Sequence, residues 1–72
     1  MLDNKSMEFK DKLKELRTWK GLSQMSLAKE TGLSQSAIAK WELGKAEPTA
    51  SALIVLSRYF NESVDYILGL QD

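Results

Sequence analysis

The side chains of this chain that can do chemistry are mainly amides, hydroxyls and ammonium groups. Ser23 and Gln24 form one polar pair, and Ser34 and Gln35 form a second pair further along. Hydroxyls and amides both donate and accept hydrogen bonds, which suits them to binding a polar surface. Histidine and cysteine are absent, which removes the commonest general base, the commonest metal ligand and the thiolate nucleophile. We therefore expect a binding protein, with no metal site and no enzymatic activity.

Length and composition indicate one small domain. The chain has 72 residues, 43% of them hydrophobic, which is enough for a compact core that needs no cofactor. No apolar run approaches the roughly 20 residues needed to cross a bilayer, and the polar start of the chain does not resemble a secretory signal. The lack of cysteine is compatible with a reducing compartment. We expect a cytoplasmic protein that does not bind membranes.

Apolar spacing and capping residues predict short helices and no strands. Phe9, Leu13 and Leu16 recur at the spacing of one helical face. A serine or threonine precedes each later helix, where its hydroxyl accepts from unpaired amides of the first turn. The predicted helices cover residues 7–20, 23–31 and 34–44, a fourth that Thr49 caps and that runs through Phe60, and a fifth that Ser63 caps and that covers 64–68. The expected fold class is all-α, with residues 1–6 as an N-terminal arm and 7–70 as a five-helix bundle.

The joint between the second and third predicted helices is the most informative stretch. It spans only about three residues around Gly32, which is too short to lay two helices side by side, so they cross at a steep angle. Gly32 provides the positive φ that the turn needs. Ile38 and Trp41 are expected to face the core. The outward residues of the third helix are then Gln35, Ser36, Ala39 and Lys40, with Ala37 at the margin.

Residue types at fixed spacing resemble one known family over residues 9–69. They are Gly21-Leu22-Ser23-Gln24, Leu27-Ala28, Gly32-Leu33-Ser34, Ile38, Trp41-Glu42, Gly44-Lys45, Pro48 and the segment from Ser63 to Gly69. This pattern resembles the Cro/repressor-type, or xenobiotic-response-element-like, helix-turn-helix family. The resemblance implies a bundle of the lambda-repressor-like DNA-binding type, in which the second and third helices form the helix-turn-helix.

The same resemblance implies that the third helix reads base edges in the major groove. The implied base-reading residues are Gln35, Ser36, Ala37 and Lys40. An amide can pair with adenine through two bonds, a lysine favours guanine, and a methyl group contacts thymine. The alternative for each polar side chain is simple solvation, which is common on the outer face of a helix.

The resemblance also implies a set of contacts to DNA phosphates, made by Ser23, Gln24, Ser34 and Lys45. Unpaired amides and the helix dipole favour an anion at a helix N-terminus. Lys45 matches the lysine that follows the glycine in the family.

The formal net charge of zero argues against DNA binding, because nucleic-acid-binding domains usually carry a basic excess. We expect the charges to be separated in space. Lys29, Lys40 and Lys45 would make the binding face mildly positive, with Glu42 in the core and Glu30 turned away.

Two residues of the first helix carry further expectations. The resemblance places Arg17 against Glu42 as a buried ion pair that holds the third helix, whereas the alternative is two unconnected surface charges. Trp19 lies off the apolar stripe, and we expect it to pack at the edge of that stripe, with a partner-binding role as the lesser alternative.

One recognition helix covers few base pairs, and family members dimerise to place two helices in successive major grooves, about 34 Å apart. The candidate dimer patch is Glu47, Pro48, Tyr66, Ile67 and Leu70, although Ile67 is equally compatible with the core. We expect a homodimeric transcriptional regulator, acting as a repressor at a palindromic operator in double-stranded DNA and associated with the nucleoid in the cytoplasm. The alternative is an antitoxin or phage-control protein whose main partner is another protein and which retains DNA-binding autoregulation.

Overall fold

The computed structural model describes residues 7–70, and this part of the chain contains helices and no strand. The helices are α1 (Phe9–Trp19), α2 (Gln24–Thr31), α3 (Gln35–Glu42), α4 (Ala50–Phe60) and α5 (Val64–Ile67). The prediction of an all-α, five-helix domain is confirmed, and the bounds differ from the predicted ones by about two residues or fewer, which is normal for helix ends. The predicted arm, residues 1–6, lies outside the described residues.

Hydroxyl groups begin the helices α2 to α5. Ser23, Ser34, Thr49 and Ser63 each accept a hydrogen bond from the backbone N–H three residues further on. Each bond satisfies an amide that has no acceptor inside its own helix. Helix α1 starts after Glu8 without a side-chain cap. Local capping chemistry therefore sets where these helices start, independently of how they pack.

The core draws at least one buried apolar side chain from every helix. Its members are Leu13, Leu16, Leu27, Ile38, Trp41, Ala52, Leu56 and Ile67. Helix α3 packs against both α1 and α2, and α4 packs against α5. The rings of Phe9 and Trp41 meet edge to face, with centroids 6.2 Å apart. Helix α3 is thus held by its inner face, and its outer face is left to solvent.

The structure contradicts the expected position of Trp19 and decides between the two alternatives for Ile67. Ile67 is fully buried in the core, so it has no surface with which to form a dimer patch. Trp19 is 81% exposed, although we expected it to pack at the edge of the apolar stripe. It is the last residue of α1 and lines an open groove instead of a helix–helix contact.

Gly69 brings the two ends of the described chain together. Its φ is +79°, and a Cβ at this position would overlap the carbonyl oxygen of Met7. We predict that Gly69→Ala lowers the free energy of unfolding more than Gly21→Ala, whose φ is +74° but whose Cβ meets open space. Left-handed strain alone costs about 1–2 kcal/mol, and displacement of the Met7 backbone adds to it. Urea unfolding of both variants measures the difference, and equal losses would contradict this close approach.

Candidate nucleic-acid interface

The turn between α2 and α3 is held by local hydrogen bonds. Gly32 ends α2 in the left-handed conformation, with φ +77°, and its N–H donates to a carbonyl of the preceding turn at 2.8 Å. The Thr31 hydroxyl accepts from the N–H of Leu33 at 3.2 Å. The Ser34 hydroxyl accepts from the N–H of Ala37 at 3.1 Å and starts α3. These bonds fix the path of the chain from one helix to the next, and Thr31 is a turn residue that the sequence analysis missed.

The outer face of α3 is open and lacks free acidic groups. Gln35, Ser36 and Lys40 are exposed, and Ala37 is half-buried at the margin. The single acid of this helix is Glu42, whose side chain is only 5% exposed. The structure therefore brings the four predicted base-reading residues to one face, with the polar groups of three of them accessible.

Arg17 joins α1 to α3 through two parallel hydrogen bonds to Glu42. Its Nε donates to Oε2 at 2.7 Å, and its Nη2 donates to Oε1 at 2.9 Å. Its Nη1 donates to the carbonyl oxygen of Leu22 at 2.7 Å, in the loop before α2. The Arg17 side chain is 11% exposed, and hydrogen bonding to Glu42 raises the pKa of its guanidinium above the ordinary value. The predicted ion pair is present and buried.

Gln24 has a partner that the sequence did not indicate. Its Nε2 donates to Oε1 of Glu42 at 3.0 Å, so the carboxamide ties the start of α2 to the end of α3. The resemblance marked Gln24 only as a phosphate contact, and the pairing of distant residues on two helices leaves no local pattern in the sequence. Ser23 caps the same helix through Ser26. The first two amides of α2, those of Gln24 and Met25, have no acceptor within the helix.

The lysines near α3 supply the positive charge of this face. Lys40 and Lys45 are both exposed. The backbone N–H of Lys45 donates to the carbonyl oxygen of Lys40 at 2.9 Å, which fixes the chain just after α3. Glu42, two residues after Lys40, is already paired with Arg17, and Glu47, two residues after Lys45, is an exposed acid in the following loop. A chain of zero net charge can therefore carry a mildly positive face.

The carboxylate of Glu30 accepts a hydrogen bond from helix α4. The hydroxyl of Tyr59, on α4, donates to its Oε1 at 3.2 Å. The pKa of Tyr59 is raised above its ordinary value, mainly by desolvation and secondarily by the hydrogen bond to Glu30. The ammonium group of Lys20 lies over the Tyr59 ring, with its Nζ 4.8 Å from the ring centroid. Glu30 is thus part of a contact between α2 and α4, two helices that pack together.

Members of the predicted dimer patch line two different grooves. Glu47 and Pro48 line one open groove, whereas Tyr66 lines a different groove together with Trp19. Leu70 is 72% exposed beyond the end of α5. With Ile67 in the core, the members of the patch that keep accessible surface are Glu47, Pro48, Tyr66 and Leu70.

Within residues 7–70 there is no group of three or more aspartate, glutamate, histidine or cysteine side chains arranged to hold a metal ion. None of the helices described is both long enough and apolar enough to span a membrane.

Two short helices joined by a glycine turn, with the outer face of the second exposed, define a helix-turn-helix domain. A family model described as Helix-turn-helix matches residues 13–67, and the chain belongs to this family. It is 44% identical over 63 residues to the HTH-type transcriptional activator BcrR of Enterococcus faecalis, which covers 88% of this chain and 31% of BcrR. It is 32% identical to the uncharacterized HTH-type transcriptional regulator MJ0272 of Methanocaldococcus jannaschii over 88% of this chain and 96% of that protein.

The chain spans 31% of the length of BcrR and 56% of the length of YonR, a prophage-derived regulator of Bacillus subtilis that is 40% identical over 83% of this chain. Among solved structures, it resembles the P22 c2 repressor in complex with a synthetic operator, with a TM-score of 0.82 and 29% identity. That similarity covers 92% of this chain and all of the other. The restriction-modification controller protein C.AhdI of Aeromonas hydrophila gives a TM-score of 0.74 and 32% identity, over 82% of this chain and 89% of that one.

We predict that Arg17→Ala destabilises the domain by about 3–5 kcal/mol, because it leaves the Glu42 carboxylate buried without its cation. Arg58→Ala is the matched control, since Arg58 is an exposed arginine on α4, and it should change the free energy of unfolding by about 0.5 kcal/mol or less. Urea unfolding followed by circular dichroism measures both. Similar losses for the two variants would show that the ion pair does not hold α3.

Proposed function

We propose that this domain binds double-stranded DNA in a sequence-specific manner and regulates transcription, with α3 lying in the major groove. The observation that carries the proposal is the exposed, acid-free outer face of α3, fixed to the body of the domain by Arg17 and Glu42. The major groove is about 12 Å wide and admits one α-helix. The similarity to the operator-bound P22 c2 repressor supports the same use of the fold here.

In this proposal Gln35, Ser36, Ala37 and Lys40 read the bases. The Gln35 carboxamide pairs with an adenine through two bonds, Lys40 favours a guanine, and the Ala37 methyl contacts a thymine methyl group. The hydroxyl of Ser36 lies 3.1 Å from that of Ser34, and it retains capacity for a further hydrogen bond.

The phosphate contacts come from the helix starts and from Lys45. The free amides at the start of α2 and the hydroxyl of Ser34 donate to phosphate oxygens, where the helix dipole also favours an anion. The Ser23 hydroxyl donates to Oγ of Ser26 at 3.0 Å in the free domain and turns to a phosphate oxygen when DNA binds. Gln24 contributes its backbone amide and the second N–H of its carboxamide, because the first is directed to Glu42. With about 3–4 phosphate contacts per subunit, affinity is modest and salt-dependent.

We further infer that the domain acts as a homodimer on a palindromic operator and represses transcription in the cytoplasm, as a binding protein and not an enzyme. One recognition helix reads too few base pairs for useful specificity, whereas two helices about 34 Å apart read successive major grooves. Glu47, Pro48 and Leu70 supply the dimer surface in this proposal, because Ile67 is buried. A dimer spanning two grooves represses by covering promoter DNA.

Selection from random duplex DNA tests the base-reading assignment. We predict that the native chain enriches a palindrome and that Gln35→Ala relaxes the preference at one position in each half-site, by about 1–3 kcal/mol. Lys45→Ala should instead weaken binding to all duplexes about equally and lower the salt slope by about 1, because it removes a phosphate contact. Arg58→Ala, which removes an exposed positive charge on α4 outside the proposed DNA-contact residues, controls for general loss of charge. Enrichment of no common sequence by the native chain would contradict sequence-specific binding.

The dimer surface is tested by sedimentation velocity with and without the selected palindrome. We predict that Leu70→Lys weakens self-association about tenfold or more, because a two-fold contact brings each new charge against its own copy. Ile54→Lys is the control, since Ile54 is an exposed apolar residue on α4. A native chain that remains monomeric both alone and on the palindrome would rule out the dimer and leave DNA binding itself untouched.

A further inference from the structure

An aromatic groove lies between the end of α1 and the start of α5. Leu16, Trp19 and Tyr66 form its apolar surface, and Glu15 and Glu62 stand at its rim. Trp19 is 81% exposed, the most exposed large apolar side chain in residues 7–70. An indole of this size in water is costly for a small domain, and tryptophan is the residue most enriched at the energetic centres of protein interfaces.

Two carboxylates line the groove, and the side chain of Lys12, the cation that meets one of them, is only 10% exposed. Glu62 has no cation within ion-pairing distance among the residues that the structure describes. Glu15 is paired only loosely, with its Oε1 3.7 Å from Nζ of Lys12, and its side chain is 51% exposed. The groove therefore offers an apolar surface with carboxylates beside it.

The groove already contains the type of contact that a basic partner would make. The ammonium group of Lys12 lies 4.2 Å from the centroid of the Tyr66 ring. Cation–aromatic contacts are strongest over tryptophan, and no ammonium or guanidinium group among residues 7–70 lies over the Trp19 ring. The exposed Trp19 ring is therefore available to stack with an incoming lysine or arginine, beside the carboxylates that line the same groove.

We propose that the Trp19 groove, defined as Glu15, Leu16, Trp19, Glu62 and Tyr66, docks a segment of a partner protein in which apolar and basic residues are combined. Its acidic rim repels the phosphates of nucleic acid. A second copy placed symmetrically on this surface brings Glu15 and Glu62 against their own counterparts, which is also unfavourable. Charge complementarity selects a basic, partly apolar polypeptide.

This docking surface is separate from the proposed DNA-binding face. Trp19 follows Arg17 by two residues, which is a rotation of about 200° around α1. Arg17 is directed at Glu42 on α3, so Trp19 points to the opposite side of α1. The groove shares no residue with the proposed base-reading and phosphate-binding sets. The partner segment therefore binds the domain while it occupies DNA.

A random dodecapeptide library displayed on phage, panned on the full chain, tests the proposal. The enriched peptides should combine apolar residues with lysine or arginine and should not be enriched on Trp19→Ala. A synthetic peptide of the enriched sequence should shift Trp19 emission to the blue, whereas Trp41, being 6% exposed, contributes little to the change. Glu62→Gln should weaken that peptide about three- to fivefold and reduce its salt dependence, while Ile54→Ala leaves its affinity unchanged.

Nonspecific duplex DNA serves as the second readout. Trp19→Ala should bind this DNA as tightly as the native chain does, and saturating peptide should not displace the DNA. Peptide binding and DNA binding can therefore fail independently, so failure of the groove proposal is distinguished from failure of the proposed function. Equal enrichment on Trp19→Ala, or enrichment of acidic peptides, overturns the proposal. Two other results overturn the proposal because they identify a different occupant. Self-association that Trp19→Ala abolishes would assign the groove to a second copy of the chain. A change in Trp19 emission on deleting residues 1–6 would assign the groove to that segment.

Discussion

The buried pair of Arg17 and Glu42 is the interaction on which the arrangement of this domain depends. Removing two charges from water is costly, and the cost is recovered only when geometry is good and the remaining donors are satisfied. Both conditions hold here, since the guanidinium makes two parallel bonds to the carboxylate and a third to the Leu22 carbonyl, and Gln24 adds a further donor to Glu42. One polar network thereby joins α1, the loop before α2, the start of α2 and the end of α3.

This network also accounts for how a neutral chain can present a positive face. Glu42 would otherwise place a negative charge at the end of the helix that carries the proposed base-reading residues. Paired with Arg17 and nearly enclosed, it adds no free negative charge beside the exposed Lys40 and Lys45, and Glu47 is the exposed acid of the following loop. The carboxylates of Glu15 and Glu62 lie beside the Trp19 groove. Part of the acidic charge of the chain is thus paired or lies away from the outer face of α3.

Because the core is small, the local interactions that start and end the helices must favour the same helix arrangement that the core packing favours. The hydroxyl caps, the left-handed Gly32 and the hydrogen bond of Thr31 set the starts and the turn of the helices through contacts within a few residues. Ile38 and Trp41 then hold α3 by one side, and the short turn prevents it from rotating. Rigidity of this kind matters for reading DNA, because base contacts depend on side chains held in fixed positions.

Sequence alone determined the helices and the turn, since capping hydroxyls, glycine and apolar periodicity act over three or four residues and leave a direct pattern. The ion pair was predicted only through family resemblance, because no local spacing links Arg17 to Glu42. Tertiary structure alone decided that Ile67 is buried, that Trp19 is exposed and that Gln24 binds Glu42. A four-residue helix such as α5 is too short for periodicity to distinguish its buried side, and the environment of a residue at a helix end depends on which neighbouring elements reach it in space.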